Sequence, residues 1–274
     1  MAKSAKAPPG FYSAKEVMQK LGIANSTLYH YVDTGKIKKV IEPGRKEGYY
    51  LKSEVDKILR EREIFILQYA TDATTFEKAQ EEDIEGITNL CIELFGKNGT
   101  ASHEKRLARF HTNPNIFYTL KQENLIVGYV MIAPLKQEAI NIIMSGAEES
   151  TFRTDILAPK YITQFKPGEA DNVFVSLGVR QGLPRSRIYG ARLVSGTIET
   201  LEQFARKGIT IKKLYGTSHT QDGIRLAKGM GFKQVIPTLE DDDLQRFELD
   251  LETTKNPLFS KYQRIVKRII SKAE

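Results

Sequence analysis

Residues 172–196, NVFVSLGVRQGLPRSRIYGARLVSG, decide how the larger part of this chain folds. The run 173–179 is apolar and rich in β-branched residues, the pattern of a buried strand. Gly182 and Pro184 punctuate a turn after it. Beyond the turn, Ile188, Leu193, Thr197 and Leu201 recur at the spacing of one helix face. A strand, a turn and a helix N-terminus in that order make an anion site, because unpaired N–H groups and the helix dipole point at whatever sits there. Arg180, Arg185 and Arg187 add positive charge at the same end. The bland alternative is an ordinary strand-turn-helix with a basic turn.

Composition bounds what the rest can be. A chain of 274 residues has room for two domains, and 41% hydrophobic with 27% charged residues is the balance of a soluble globular protein. No apolar run approaches the roughly 20 residues that span a bilayer, and the start, MAKSAKAPPGFYS, has no apolar leader segment. A lone Cys91 cannot form an internal disulfide, and His30, His103, His111 and His219 are too scattered for a metal site. A cytoplasmic protein without a metal or a membrane partner is expected. The formal charge of +7 is uneven. Residues 1–60 hold 12 Lys/Arg against 6 Asp/Glu, and residues 255–274 hold 6 against 1, so the middle is mildly acidic. That asymmetry points to a polyanion at the chain ends.

In chain order, residues 1–10 are small, basic and Pro-containing, and read as a disordered arm. Ser13 and Glu16 have the spacing of a capping box for a helix that Gly22 ends. Asn25 or Ser26 caps a second helix, stopped by Gly35. The segment 37–41, the turn PGRKEG and residues 49–51 read as a hairpin with a basic tip, and Ser53 caps a third helix to about Tyr69. The sequences YSAKEVMQKLGIANSTLYHYVDTGKI and GYYLKSEVDKIL resemble the winged helix-turn-helix of the MerR and excisionase families over residues 11–60. That resemblance implies a second helix in the major groove of double-stranded DNA and a wing on flanking phosphate or minor groove. Ser26, Thr27, Tyr29, His30 and Lys36 then offer donors to bases and phosphates, while Lys38, Lys39, Arg45 and Lys46 supply charge. The alternative is a winged helix used for protein contacts. One small winged helix covers a half-site, so a homodimer is expected, with the apolar run 64–67 or the C-terminal tail as the seam.

After a small polar boundary at 70–75, the chain resembles the GNAT acetyltransferase superfamily over residues 75–251. That family carries Gln/Arg-x-x-Gly-x-Gly/Ala where a strand meets a helix, and binds the pyrophosphate of acetyl-CoA there. RSRIYG places Arg185 first and Gly190 last, but Ile188 stands where the first glycine belongs, a branched side chain that narrows the cradle. The resemblance implies an α/β (α+β) fold with a central mixed sheet flanked by helices. It also implies acetyl-CoA or another acyl-CoA held by Val179, Arg180, Gln181, Gly182, Arg185, Ser186, Arg187, Tyr189, Gly190 and Ala191. Family enzymes place a Tyr, which protonates the departing thiolate, where this chain has Ala227, and an Asn where it has Thr220. Catalytic candidates left near the cleft are Tyr189, Tyr215, Ser218 and His219, none on a family-standard position.

Other segments of this domain are read more simply. Residues 76–79 read as a short strand, and Ile84, Ile87, Leu90, Cys91 and Leu94 as the core face of a helix from Asp83. His103 and His111 read as surface residues, 116–120 and 126–133 as a hairpin, and INIIMSG within an unmatched insertion at 134–172 as a strand. Ile211 opens a strand, a helix follows to about Lys228, and KQVIPTL and LQRFELDL are the terminal strands around an acidic, solvated turn. Leu258, Tyr262, Ile265 and Ile269 make the tail, 255–274, an amphipathic basic helix that packs on its own core or on a partner subunit, with a membrane-surface helix as the alternative.

Three functions follow for the whole chain. One is a DNA-binding transcriptional regulator whose 75–254 domain senses acyl-CoA or mediates assembly with degenerate catalysis. The second is an active N-acetyltransferase delivered by its 11–70 domain, and the third a protein-interaction scaffold. The departures at Ile188 and Ala227 favour the first.

Overall fold

The computed structural model describes residues 7–44, 47–69, 74–146, 158–183, 185–235 and 244–273. The chain divides into two compact units, 1–71 and 72–274.

In the first unit, β1 (Phe11–Ser13) leads into α1 (Ala14–Leu21) and α2 (Asn25–Asp33), then β2 (Lys39–Ile41), β3 (Gly48–Leu51) and α3 (Lys52–Tyr69). The capping box forms as expected: Ser13 N–H donates to Glu16 Oε2 at 2.7 Å, and Ser13 Oγ accepts from Glu16 N–H at 3.4 Å. Gly22, at φ +59°, ends α1 in the left-handed region that glycine enters without strain. Val17, Leu21, Leu28, Ile37, Tyr50 and Val55 close a small core between the helices and the antiparallel sheet β1-β3-β2. Three local expectations are corrected. Ala24 is the N-cap of α2 and makes no side-chain cap bond, so neither Asn25 nor Ser26 caps it. Ser53 lies inside α3, which already begins at Lys52. Residues 11–13 add a third strand, because Phe11, Tyr12 and Ser13 pair with Leu51, Tyr50 and Tyr49; three residues are too few for a period to show in sequence.

The second unit is built on a seven-stranded sheet, ordered β4-β5-β6-β7-β8-β10-β9. Its strands are β4 (Thr74–Lys78), β5 (Phe117–Gln122), β6 (Leu125–Pro134), β7 (Asn172–Val179), β8 (Lys213–Ser218), β9 (Lys233–Val235) and β10 (Gln245–Asp250). Only β7 and β8 pair in parallel, so the sheet is mixed. Glu123 and Asn124, at φ +54° and +81°, turn β5 into β6 as a two-residue hairpin. The helices are α4 (Asp83–Phe95), α5 (His103–Thr112), α6 (Gln137–Ser145), α7 (Ser186–Arg206), α8 (Gln221–Gly229) and α9 (Ser260–Ala273).

Two glycines show which helix covers which face. A Cβ on Gly128 would meet Leu193 of α7, and one on Gly178 would meet Leu94 of α4. Gly178 pairs with Tyr129, the neighbour of Gly128. Adjacent residues of a strand face opposite ways, so α4 and α7 lie on opposite faces of the sheet. Ile84, Ile87, Leu90 and Cys91 are fully buried, as their spacing predicts.

INIIMSG is not a strand but the body of α6. Ala139, Ile140 and Ile143 are its buried residues, at helical spacing, and a short apolar run does not by itself separate the two structures. Asn172 Nδ2 donates to Gln137 Oε1 at 2.8 Å, while Arg246 Nε donates to Ile143 O at 2.7 Å. Arg246 pairs with Thr217, which is two residues from Tyr215 on the face shared with Asn172 and Gly178. The insertion therefore lies on the α4 face, tied to β7 at one end and β10 at the other. The tail helix α9 packs on its own domain, where Tyr262 Oη donates to Ile211 O and accepts from Ile211 N–H, both at 2.7 Å. Tyr262 and Val266 are buried there, while Leu258 and Ile270 of the tail stay exposed.

Candidate functional sites

In the first unit, the unused face of α2 is the candidate nucleic-acid surface. Leu28 points inward, 1% exposed, which turns Asn25, Ser26, Tyr29, His30 and Asp33 outward. Because Ala24 leaves the N-cap without a side-chain bond, the Ser26 hydroxyl is not consumed by capping. Thr27 is half-buried and its N–H donates to Ala24 O. Lys36 is exposed, with its Nζ 5.3 Å from the Tyr31 ring centroid. Lys38 is exposed beside the base of the wing, where Glu54 Oε2 accepts its N–H at 2.6 Å. Lys39 lays its stem over Gly48 and its Nζ 5.7 Å from the centre of the Tyr29 ring. A cation joined to the exposed ring of the second helix makes helix and wing one surface. Arg45 and Lys46, at the wing tip, fall outside the described residues. Asn25 joins the outward face as a further polar group, one whose sequence signal is that of a helix cap.

In the second unit, β7 and β8 pair only at Asn172–Lys213, Val173–Leu214 and Phe174–Tyr215. Beyond that apex, β8 stays paired to β10 through Ser218 and β7 to β6 through Val179, but the two no longer bond each other. The strands open like a wedge. One arm leads directly into the turn 180–183 and α7, the other into Thr220 and α8.

The mouth of the wedge is a cavity of about 820 Å³. Val179, Arg180, Gln181, Gly182, Ser186, Arg187, Gly190 and Ala191 line it, eight of the ten residues expected to hold a cofactor. Gly182, at φ +75°, makes the turn, and a Cβ on Gly190 would meet nothing within 4 Å, so the helix end faces open space. The first intrahelical bond is Tyr189 N–H to Arg185 O at 3.1 Å. The N–H groups of Arg187 and Ile188 precede it and point along the axis. Arg187 is exposed here, whereas Arg180 lies against Glu93, Nε to Oε2 4.0 Å. A polyanion such as a pyrophosphate suits that environment.

Two of the ten lie elsewhere. Arg185 does not line the mouth. Tyr189 turns into the core, and its hydroxyl donates to Gln122 Oε1 at 2.5 Å. The residue spacing of α7 explains this, since Tyr189, Leu193 and Thr197 are buried along one stripe. Ile188 belongs to the opposite side: it is 52% exposed and does not line the mouth. Ile188, exposed, does not share the core face with Leu193.

Deeper in, the wedge continues into an apolar chamber of about 180 Å³. Tyr215, Ser218 and His219 border it, and Tyr189 does not. The Tyr215 hydroxyl is 3.4 Å from Asn172 Oδ1. Burial first, then the charges of Glu248 and Asp250, hold its proton more tightly than an ordinary phenol. It is a weaker acid for that, and stays protonated at neutral pH. Ser218 Oγ accepts from Thr220 N–H at 3.2 Å and is taken up by the start of α8. His219 is exposed, edge-on to Phe95 at 6.4 Å. Ala227 lines the chamber and brings no polar group.

Further buried polar groups have no signature in the sequence. Arg106 and Arg109, 6% and 3% exposed, turn inward from α5, and Arg106 donates to Thr100 Oγ1. His103 is half-buried, not at the surface as expected, while His111 is exposed and meets Glu81 at 3.0 Å. Charge patterning alone places arginine outside, so α5 carries no signal for its true inner face. Among the described residues, no group of three or more His, Cys, Asp or Glu could hold a metal ion, and no helix is long and apolar enough to cross a membrane.

Residues 11–63 match the family model of a helix-turn-helix domain. Comparison with curated proteins gives no match. Among solved structures, the chain is similar to the loading GNATL domain of CurA from Lyngbya majuscula, at 14% identity and TM-score 0.48, over 65% of this chain and 98% of that one. The GphF GNAT-like decarboxylase in complex with isobutyryl-CoA is similar at 17% identity and TM-score 0.43, over 64% and 96%. The protein yncA from Salmonella typhimurium, solved with its cofactor acetyl-CoA, is similar at 16% identity and TM-score 0.40, over 68% and 98%. The chain thus joins a segment, residues 11–63, that matches a helix-turn-helix domain to a mixed α/β domain built on a seven-stranded sheet.

Proposed function

We propose that the protein is a transcriptional regulator that binds double-stranded DNA through its helix-turn-helix domain and acyl-CoA through its GNAT-like domain, without turning the acyl-CoA over. The observation that carries the reading is the wedge between β7 and β8, continuous from the exposed Arg187 at the start of α7 to an apolar chamber. A charged pyrophosphate at the mouth and an extended, amide-bearing arm along the open edge of β7 satisfy both the helix N-terminus and the unpaired strand. Arg187 and Gly182 hold and admit the phosphates, and Arg180, balanced by Glu93, walls the site.

Two features favour binding over transfer. Amine acylation requires a proton source for the leaving thiolate, and the groups near the apex are poorly suited to it: Ala227 has no polar atom, Ser218 Oγ is bonded to the Thr220 N–H, Tyr215 holds its proton tightly, and His219 is exposed beside Phe95. In addition, α6 lies on the α4 face beside the apex, tied through Gln137 and Arg246. It narrows the approach for an acceptor from that side. A homodimer in the cytoplasm is part of the same reading, with α3 or the tail, exposed at Leu258 and Ile270, as the seam. The side chains of residues 64–67 lie outside the description.

Calorimetric titration of acetyl-CoA into the full chain, with a parallel thiol-release assay over a panel of amines, tests the reading. Saturable heat with no thiol released above background supports it. Absence of heat and of any thermal shift at millimolar acetyl-CoA removes the ligand, and amine-dependent thiol release removes the regulator-only reading.

A further inference from the structure

The chamber at the foot of the wedge is larger and more apolar than an acetyl group requires. On α7, Val194, Thr197, Ile198 and Leu201 form one continuous wall. Leu214, Gly216 and Phe247 make the floor from the sheet, while Ala227 of α8 and Met230 just after it close the other side. The one hydroxyl in the α7 wall is already engaged, since Thr197 Oγ1 donates to Leu193 O at 2.7 Å. Nothing in that wall rewards water. Apolar lining that a ligand covers is taken out of water, which favours an apolar part of the ligand there.

We propose that the ligand is a medium-chain acyl-CoA whose acyl chain, about six carbons long, fills this chamber; the inference rests on the acyl-CoA reading above. The length follows from volume. A dry cavity of about 150 Å³ accepts one benzene molecule, which has six carbons, and this one measures about 180 Å³. Ala227 makes the room. It lines the chamber between Leu226 and the turn at Met230, so a larger side chain there occupies the space that an acyl tail takes. The residue that removes a proton source from the site is therefore the one that admits a longer chain.

The test is a calorimetric titration of the full chain with CoA, acetyl-CoA, butyryl-CoA, hexanoyl-CoA and dodecanoyl-CoA, repeated on Ala227→Phe. Affinity rises about fourfold per methylene buried, so hexanoyl-CoA binds on the order of 100-fold more tightly than acetyl-CoA, and dodecanoyl-CoA gains nothing more. Ala227→Phe flattens the series from acetyl-CoA to hexanoyl-CoA. Ala227 is only half-buried, and a cooperative thermal transition in the variant shows that it folds. Equal affinity for CoA, acetyl-CoA and hexanoyl-CoA overturns the chamber assignment and leaves acyl-CoA binding intact. A rising series that Ala227→Phe does not flatten places the chain elsewhere and also overturns it. No binding of any member, CoA included, overturns the wedge reading on which it depends.

Discussion

Replacing Arg246 with Met tests how the insertion is held. The side chain is 0% exposed, and its Nε and Nη1 donate to Ile143 O at 2.7 Å and Leu244 O at 2.8 Å. Met fills much of the same space with an unbranched stem, so the change removes donors more than volume. Each buried carbonyl left without its donor costs about 1–3 kcal/mol. Ile143 O lies in the last turn of α6, where carbonyls lack intrahelical partners, and fraying of that turn lets water recover part of the loss. A net cost of about 3 kcal/mol follows. For a domain of 150–250 residues each kcal/mol moves Tm by about 2–4 °C, so Arg246→Met lowers it by about 6–12 °C. Thermal unfolding of the full chain reads this, and amide exchange should show α6 opening first. A drop under about 2 °C, or unchanged exchange in α6, sinks the argument that one buried guanidinium ties α6 to β10.

Other changes separate neighbouring residues. Arg187→Ala, at the mouth, should weaken acyl-CoA binding by about 10- to 150-fold, the worth of a hydrogen bond to a charged group, while Arg185→Ala should change it little; calorimetry that ranks them the other way refutes the placement. Ile188→Gly should leave affinity unchanged, since Ile188 faces solvent, and cost about 1 kcal/mol of stability as a helix glycine; a gain in affinity would restore Ile188 to the cradle. In α1, the hydrogen bonds from Ser13 hold the Glu16 carboxyl below its usual value of 4.5. A depressed carboxyl stabilises above its unfolded pKa and loses that contribution as pH falls through the folded one. Ser13→Ala should cost about 1 kcal/mol near neutrality and reduce that acid-side loss in amide exchange of α1, the backbone N–H bond of residue 13 to Glu16 remaining. Duplex DNA binding should weaken with salt, and Lys36→Ala with Lys38→Ala should shallow the log–log slope by roughly 0.9 for each phosphate that is no longer neutralised; an unchanged slope would move the interface off the α2–wing surface.

Local signals are legible wherever a few neighbouring residues suffice. Ser13 with Glu16, Gly22, the turn at Gly182 and the apolar period from Ile84 to Cys91 each act within one or two turns of chain, and the structure has all of them where expected. Signals also mislead at that range. The run INIIMSG fits a strand or a helix equally, and only its packing against the sheet selects the helix. Likewise Ile188 and Tyr189 are adjacent and both apolar in pattern, yet one faces solvent and the other bonds Gln122, because Gln122 is brought there by a strand 67 residues away.

The sequence by itself determined a basic helix-turn-helix segment, a mixed α/β domain and a basic turn between a strand and a helix, since these follow from composition, period and capping. Tertiary structure alone decided the wedge. Whether β7 and β8 stay paired past Phe174 and Tyr215 depends on how α7, α8 and β10 pull two distant strands apart, and no run of either strand records it. The same long-range packing turned Arg246 inward, against the preference of arginine for water, by supplying an acceptor, Ile143 O, from a segment far away in the chain.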